Sequence, residues 1–171
     1  EKKIVAFLES IRHETQALFL VGDLFDFWFE YKKVVPKGYT RLLGCIASFS
    51  DAGIPVHFFV GNHDMWVKDY FQQELGMKVY FEPATFEFEG KQFLVGHGDG
   101  LGPGDYGYKR LKKIFRNPLC QWLFGLLPPS IGLGVANFSS SRSRLATGTN
   151  DGLFLGEEKE WLIEYCKKKL E

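Results

Sequence analysis

Three short polar breaks carry most of the chemistry this sequence offers: Gly22-Asp23, Gly61-Asn62-His63-Asp64 and Gly96-His97-Gly98-Asp99. Each follows an apolar run of β type and stops at a glycine, so each reads as a loop at a strand end. Asp23, Asn62 and His97 would present an anionic oxygen, a neutral oxygen and an imidazole nitrogen. That mixed set suits Mn²⁺, Fe²⁺ or Zn²⁺ better than an all-oxygen calcium cage or a thiolate zinc site. A carboxylate can bridge two ions, and a two-ion site activates water and holds a phosphoryl oxygen. Phosphate-ester hydrolysis is the reaction class that most needs this. His63, followed by Asp64, has the neighbours of an oriented imidazole that donates to the phosphate or leaving oxygen, with Asp64 as its orienting partner. The plainer reading of Asp23, taken alone, is a turn or helix N-cap aspartate.

The elements that must position these loops follow from periodicity. Ile4, Val5, Leu8 and Ile11 predict an amphipathic helix from residue 2 to about 13, with His13 a solvated residue at its end. Ala17 to Val21 is a buried strand delivering Asp23. Tyr39, Leu42, Leu43, Ile46 and Phe49 mark a second helix, and Val56 to Val60 a strand delivering Asn62. Strand, helix and strand in that order make parallel neighbours, so both loops emerge at the carboxyl edge of one sheet, where ligands bind in open α/β sheets. Met65 to Leu75 predicts a helix closed by Gly76, then a strand from Met77 to Phe81. Thr85 to Glu89 and Gln92 to Val95 read as a hairpin around Gly90-Lys91, its second arm ending at His97. His57 lies inside a strand and is read as structural, as are Phe25, Phe27 and Trp28.

Length and composition bound the rest. With 171 residues and 45% hydrophobic content the chain reads as one domain. Within it, residues 1–99 are an α/β core, 100–150 a helical cap insertion and 151–171 a helix returning to the core. Lys plus Arg and Asp plus Glu stand at 21 each, so no global charge points to nucleic acid. No protein partner is inferred. Three cysteines without a CxxC spacing point to a reducing compartment. With no secretory leader and no long apolar span, a soluble cytoplasmic protein is the expectation.

The three motifs, in this order on a β-α-β frame, resemble the calcineurin-like metallophosphoesterases. The resemblance implies a sandwich of mixed β-sheets flanked by helices and two divalent metal ions, manganese foremost, with iron or zinc as alternatives. Asp23 would bridge the two ions, Asn62 and His97 would bind one of them, and His63 would contact phosphate without ligating. More narrowly, Gly22-Asp23-Leu24-Phe25-Asp26-Phe27-Trp28, His97-Gly98-Asp99 and the insertion after it look like the UDP-2,3-diacylglucosamine pyrophosphatases of lipid A synthesis. That likeness implies cleavage of the pyrophosphate of an acylated UDP-sugar to UMP and a lipid sugar 1-phosphate, at the inner face of the inner membrane. Asp105 and Tyr108 fall where that family contacts substrate, and Arg142, in the Ser139 to Arg144 stretch, is the assigned phosphate contact.

Two departures from the family pattern stand out. The pyrophosphatase branch often has arginine where His63 stands. The family's Asp-x-His and Gly-His-x-His motifs are absent, since the histidines are at 13, 57, 63 and 97. They are expected just before Glu1 and just after Glu171, in a chain truncated at both ends, so this stretch supplies about half the ligands of a two-metal site.

The insertion offers Trp122, Leu123, Phe124, Leu126 and Leu127 after Lys109, Arg110, Lys112, Lys113 and Arg116. Such a composition fits an interfacial membrane-binding segment, a pocket for acyl chains, or a small extra core under the cap. Two other functional readings stand beside the pyrophosphatase: a phosphodiesterase or phosphatase with a soluble substrate, and a non-catalytic metal-binding scaffold docking through its aromatic cap.

Overall fold

The computed structural model describes residues 1–101, 106–134, 156 and 160–170. Helix α1 (Lys2–Ile11) runs through a short 3-10 turn into β1 (Leu18–Val21), and α2 (Thr40–Asp51) leads to β2 (Val56–Phe59). Then come α3 (Tyr70–Leu75), β3 (Lys78–Tyr80) and the hairpin β4 (Ala84–Phe88) and β5 (Lys91–Val95). Helices α4 (Tyr106–Phe115) and α5 (Pro118–Gly125) lie in the insertion, whose described residues continue helically over 129–134, and α6 (Trp161–Leu170) is the last element.

Strands β1, β2 and β3 pair in that order as a parallel sheet, and β4 pairs with β5 antiparallel in a second one. All four residues of β2 are buried, as a strand covered on both faces requires. Val56 and Phe58 join Leu18, Leu20, Leu42, Ile46, Phe49 and Phe71 in the core under the helices. The alternate residues face the hairpin, where Phe86 of β4 packs edge-on against Phe19, His57, Phe59 and Tyr80. Two facing sheets with helices outside them are the expected sandwich, although among the described residues each sheet is of a single type.

Two element boundaries differ from the sequence reading. The helix expected from Met65 begins only at Tyr70. Trp66 is held in an isolated bridge to Phe29, and its indole donates to the Phe115 carbonyl. The buried carboxylate of Glu30 then accepts from the backbone N–H groups of Asp69 and Tyr70, which sets the helix start in place of a local cap. The hairpin turn is Glu89-Gly90 and not Gly90-Lys91. Both have positive φ, 51° and 74°, the two-residue turn whose twist matches the flanking strands, and Lys91 pairs with Phe88.

His57 is the structural residue the sequence implied. It stacks on Phe19 with ring centroids 4.6 Å apart, and its Nδ1 lies 3.0 Å from the Tyr80 hydroxyl. Burial, helped by the nearby Lys78, holds its pKa below the ordinary 6.5. Unfolded chains therefore take up this proton before folded ones as the pH falls below that value. His57→Phe, which keeps a stacked ring but cannot titrate, should flatten the decline of Tm between pH 6.5 and 5 relative to the native protein. Parallel Tm–pH curves would refute this.

Candidate metal centre

The loop after β1 opens with two residues in the left-handed region, Gly22 at φ 69° and Asp23 at φ 51°. Glycine adopts this freely and aspartate tolerates it, so the chain turns sharply and carries the Asp23 carboxylate across towards the end of β2. There Asp23 Oδ1 accepts from the His63 backbone N–H at 3.0 Å, while Oδ2 lies 3.5 Å from His97 Nε2. His97 Nε2 is also 3.2 Å from Asn62 Oδ1.

These three donor atoms test the expected metal directly. Ligands about 2.1 Å from a divalent ion stand roughly 3.0–3.4 Å from each other, depending on geometry. The 3.2 Å between His97 and Asn62 falls in that range, and the 3.5 Å between His97 and Asp23 lies just beyond it. His97 Nδ1 lies 3.2 Å from the Val21 carbonyl, which can only accept, so Nδ1 is the donor there and Nε2 is the nitrogen available to a metal. Among the described residues no three His, Cys, Asp or Glu side chains form a cluster, because the third donor is an amide. The residues present therefore fit part of a mixed oxygen–nitrogen site.

Asp64 does not play the part expected of it. Its carboxylate is fully buried and accepts from the backbone N–H groups of Gly61 and Leu24, pinning the second loop to the first. The partner the structure gives the His63 ring is the Asp26 carbonyl, 2.8 Å from Nδ1. Sequence order favoured Asp64 because it adjoins His63, whereas Asp26 arrives from the other loop. Burial, reinforced by the charge of Asp23 and opposed by the two N–H donors, pushes the Asp64 pKa up to about 6.

Tyr108 donates its hydroxyl to Asp99, which also bonds Lys112. Burial and Asp99 push the phenol far above its ordinary value. Burial alone would raise Asp99, but the Lys112 ammonium and the Tyr108 hydroxyl outweigh it and hold that carboxyl below the usual range. The sequence reading placed Asp99 in the third motif but gave it no role and no link to Lys112. Lys112 was one of five cations in a basic stretch, and nothing in its spacing marked it. Asp105, Arg142 and the rest of the 135–146 stretch lie outside the described residues.

The decisive comparison is with family sequence patterns: that of the calcineurin-like phosphoesterases matches residues 2–129. The chain belongs to the calcineurin-like phosphoesterases. Within them it is 40% identical to a UDP-2,3-diacylglucosamine hydrolase of Porphyromonas gingivalis (strain ATCC BAA-308 / W83), over 98% of this chain and 68% of that protein. It is 34% identical to the hydrolase of the same name from Proteus mirabilis (strain HI4320), over 81% of this chain and 57% of the relative. For the Edwardsiella ictaluri (strain 93-146) protein of that name the figures are 32%, 76% and 50%. The chain thus spans between half and about two thirds of the length of these relatives.

Gly61 shows how little room the phosphoesterase site has. A Cβ there would fall on the carboxylate and on the backbone nitrogen of Asp23, and backbone cannot swing aside. Gly61→Ala in the full-length protein should therefore weaken Mn²⁺ binding about tenfold or more while the far-ultraviolet circular dichroism stays native. Metal content after dialysis, counted by mass spectrometry, checks this, and full occupancy would contradict it.

Proposed function

We propose that the protein hydrolyses the pyrophosphate bond of UDP-2,3-diacylglucosamine, releasing UMP and the acylated sugar 1-phosphate. One observation carries the reading: a chain 40% identical across 98% of its length to a hydrolase of that name also brings Asp23, Asn62 and His97 together. These three would hold part of a two-metal set, with manganese the metal to try first. Ions bound there would activate water and neutralise charge on the phosphoryl oxygens. Asp64 keeps the two loops in register, and the Asp26 carbonyl fixes the tautomer and direction of His63. We assign His63 to the phosphate, and Asp105, Tyr108 and Arg142 to the substrate.

Full-length protein incubated with Mn²⁺ and the substrate should release UMP. His63→Ala should lower kcat by about 10²-fold or more with metal content near wild type. Metal loss in that variant would mean that His63 is a ligand. Turnover of bis-p-nitrophenyl phosphate without any UMP would favour the second reading, a phosphoesterase with another substrate. That alternative rests on His63 itself, which is the form of the wider family.

For location we propose the cytoplasmic side of the inner membrane, reached through the insertion. Among the described residues no helix is long and apolar enough to cross a membrane. The insertion divides its apolar residues. Phe115 and Phe124 pack on Trp66, and Phe124 also meets Phe27 and Phe29, which is the small extra core. Leu119, Trp122 and Leu123 of α5 and Leu126 just after it stay exposed, as do Arg110 and Lys113 of α4. Each cation near an anionic surface is worth about 1 kcal/mol, so replacing Arg110 and Lys113 together with glutamate should weaken vesicle binding more than about tenfold. Co-sedimentation with anionic vesicles measures it, and unchanged binding would dismiss the membrane role. Lys112 is left out of that test because Asp99 holds it.

A further inference from the structure

Helix α4 is fastened to the rest of the molecule next to the metal centre, by a contact that the proposed reaction does not explain. Lys112 Nζ lies 2.6 Å from Asp99 Oδ2 and donates to the Asp99 carbonyl at 3.0 Å. The Tyr108 hydroxyl, one helical turn earlier, donates to the same carboxylate oxygen. The Lys112 and Asp99 side chains are only 19% and 16% exposed. Withdrawing both charges this far from water is costly, so such a pair is weak evidence for added stability and calls for another explanation.

Its place supplies one. Asp99 is two residues past His97, and between them stands Gly98 at φ 93° with Leu162 of α6 closed over it. Before His97, a Cβ on Gly96 would strike Pro83, so the strand exit is seated against the β3–β4 connection. That connection is in turn held by Arg116, the residue directly after α4, which donates to Glu82 and to the Phe81 carbonyl. The segment bearing His97 is thus gripped on both sides by one stretch of chain, through Arg116 before it and Lys112 after it. Among the described residues, the hydrogen-bond partner of His97 Nδ1 is the Val21 carbonyl.

We propose that Lys112 is a positioning residue: acting through Asp99, it holds the His97 loop in the geometry that binds metal. Docking of helix α4 and metal affinity are then coupled. The proposal rests on reading Asp23, Asn62 and His97 as metal ligands. Lys112 itself touches neither the donor atoms nor the substrate in this scheme.

The test uses the full-length protein, with Mn²⁺ alone as the probe in calorimetry and UMP release as a separate kinetic readout. Lys112→Met, which keeps the aliphatic stem, should raise the Kd for Mn²⁺ about 10- to 100-fold. Lys112→Arg, keeping the charge, should return it close to wild type. Asp99→Asn should reproduce the Met variant, and the double variant Lys112→Met with Asp99→Asn should be no worse than Asp99→Asn, because both remove one contact. A Lys112→Met enzyme with wild-type Mn²⁺ affinity and a raised KM would overturn the proposal, since Lys112 would then be meeting the substrate. If Lys112→Met fails to fold by circular dichroism, Asp99→Asn decides: natively folded with unchanged Mn²⁺ affinity, it refutes the coupling. Failure of the metal-centre reading is distinguishable, because the wild-type protein would then bind no Mn²⁺.

Discussion

The Asp64 carboxylate accepts from the Leu24 N–H on one loop and the Gly61 N–H on another, with no solvent exposure. A buried carboxylate is tolerated only with partners, and bonds to a charged acceptor are worth about 1.5–3 kcal/mol each. These two donors flank the ligands: Leu24 follows Asp23, and Gly61 precedes Asn62. The spacing of the two proposed oxygen ligands is therefore set by the hydrogen bonds of Asp64, which is not one of them. Asparagine in its place would offer one acceptor oxygen where two are used, leaving one of the two N–H groups unsatisfied inside the protein and the loops without their common reference point. The raised pKa of Asp64 is the other face of the same arrangement, since burial disfavours the charge that makes the bonds strong.

The third ligand comes from a different sheet, so its position depends on how the sheets face each other. Phe86 of β4 fills that interface by touching a ring on each of β1, β2 and β3. Edge-to-face pairs add about 0.5–1.5 kcal/mol beyond their buried area and prefer defined offsets, so they set the lateral position of the hairpin. Once β5 is placed, its exit brings His97 over Gly22, where any side chain would collide with the imidazole. Asp23 sits in the left-handed region at an intrinsic cost of about 1–2 kcal/mol, offset in part by the His63 N–H bond to its carboxylate. Strain at this one residue is the local consequence of turning a ligand back over the sheet edge.

Much of this was legible in the sequence because the relevant signals are local. Apolar runs ending in glycine placed Asp23, Asn62 and His97 at strand ends, and helical periodicity found the buried faces of α1 and α2. The Asn117-Pro118 pair is a local signal of the same kind and starts α5: Pro118 opens the helix and Asn117 accepts from Leu119 and Cys120. What was not legible depends on partners far apart in the chain. The start of α3 is set by Glu30, some forty residues earlier. The His63 ring is met by Asp26 and not by its neighbour Asp64, and Lys112 is distinguished from the adjacent cations only by where Asp99 falls. No periodicity encodes such pairings, because they follow from tertiary packing after each element has formed.

That packing also makes the insertion part of the site. Trp66 stands two residues beyond Asp64, and its indole donates to the last residue of α4; Lys112 of the same helix bonds Asp99, two residues beyond His97. Both ligand-bearing loops on the hairpin and β2 sides are consequently tied to one helix. An appendage added only to enlarge a surface would need no such double attachment to the loops that carry the proposed ligands. Because α5 follows α4 directly and seats Phe124 on Trp66, a load on the exposed face of α5 would act on the same two attachments. The proposed membrane-facing surface and the proposed metal centre are, in this fold, joined through a few side chains of a single ten-residue helix.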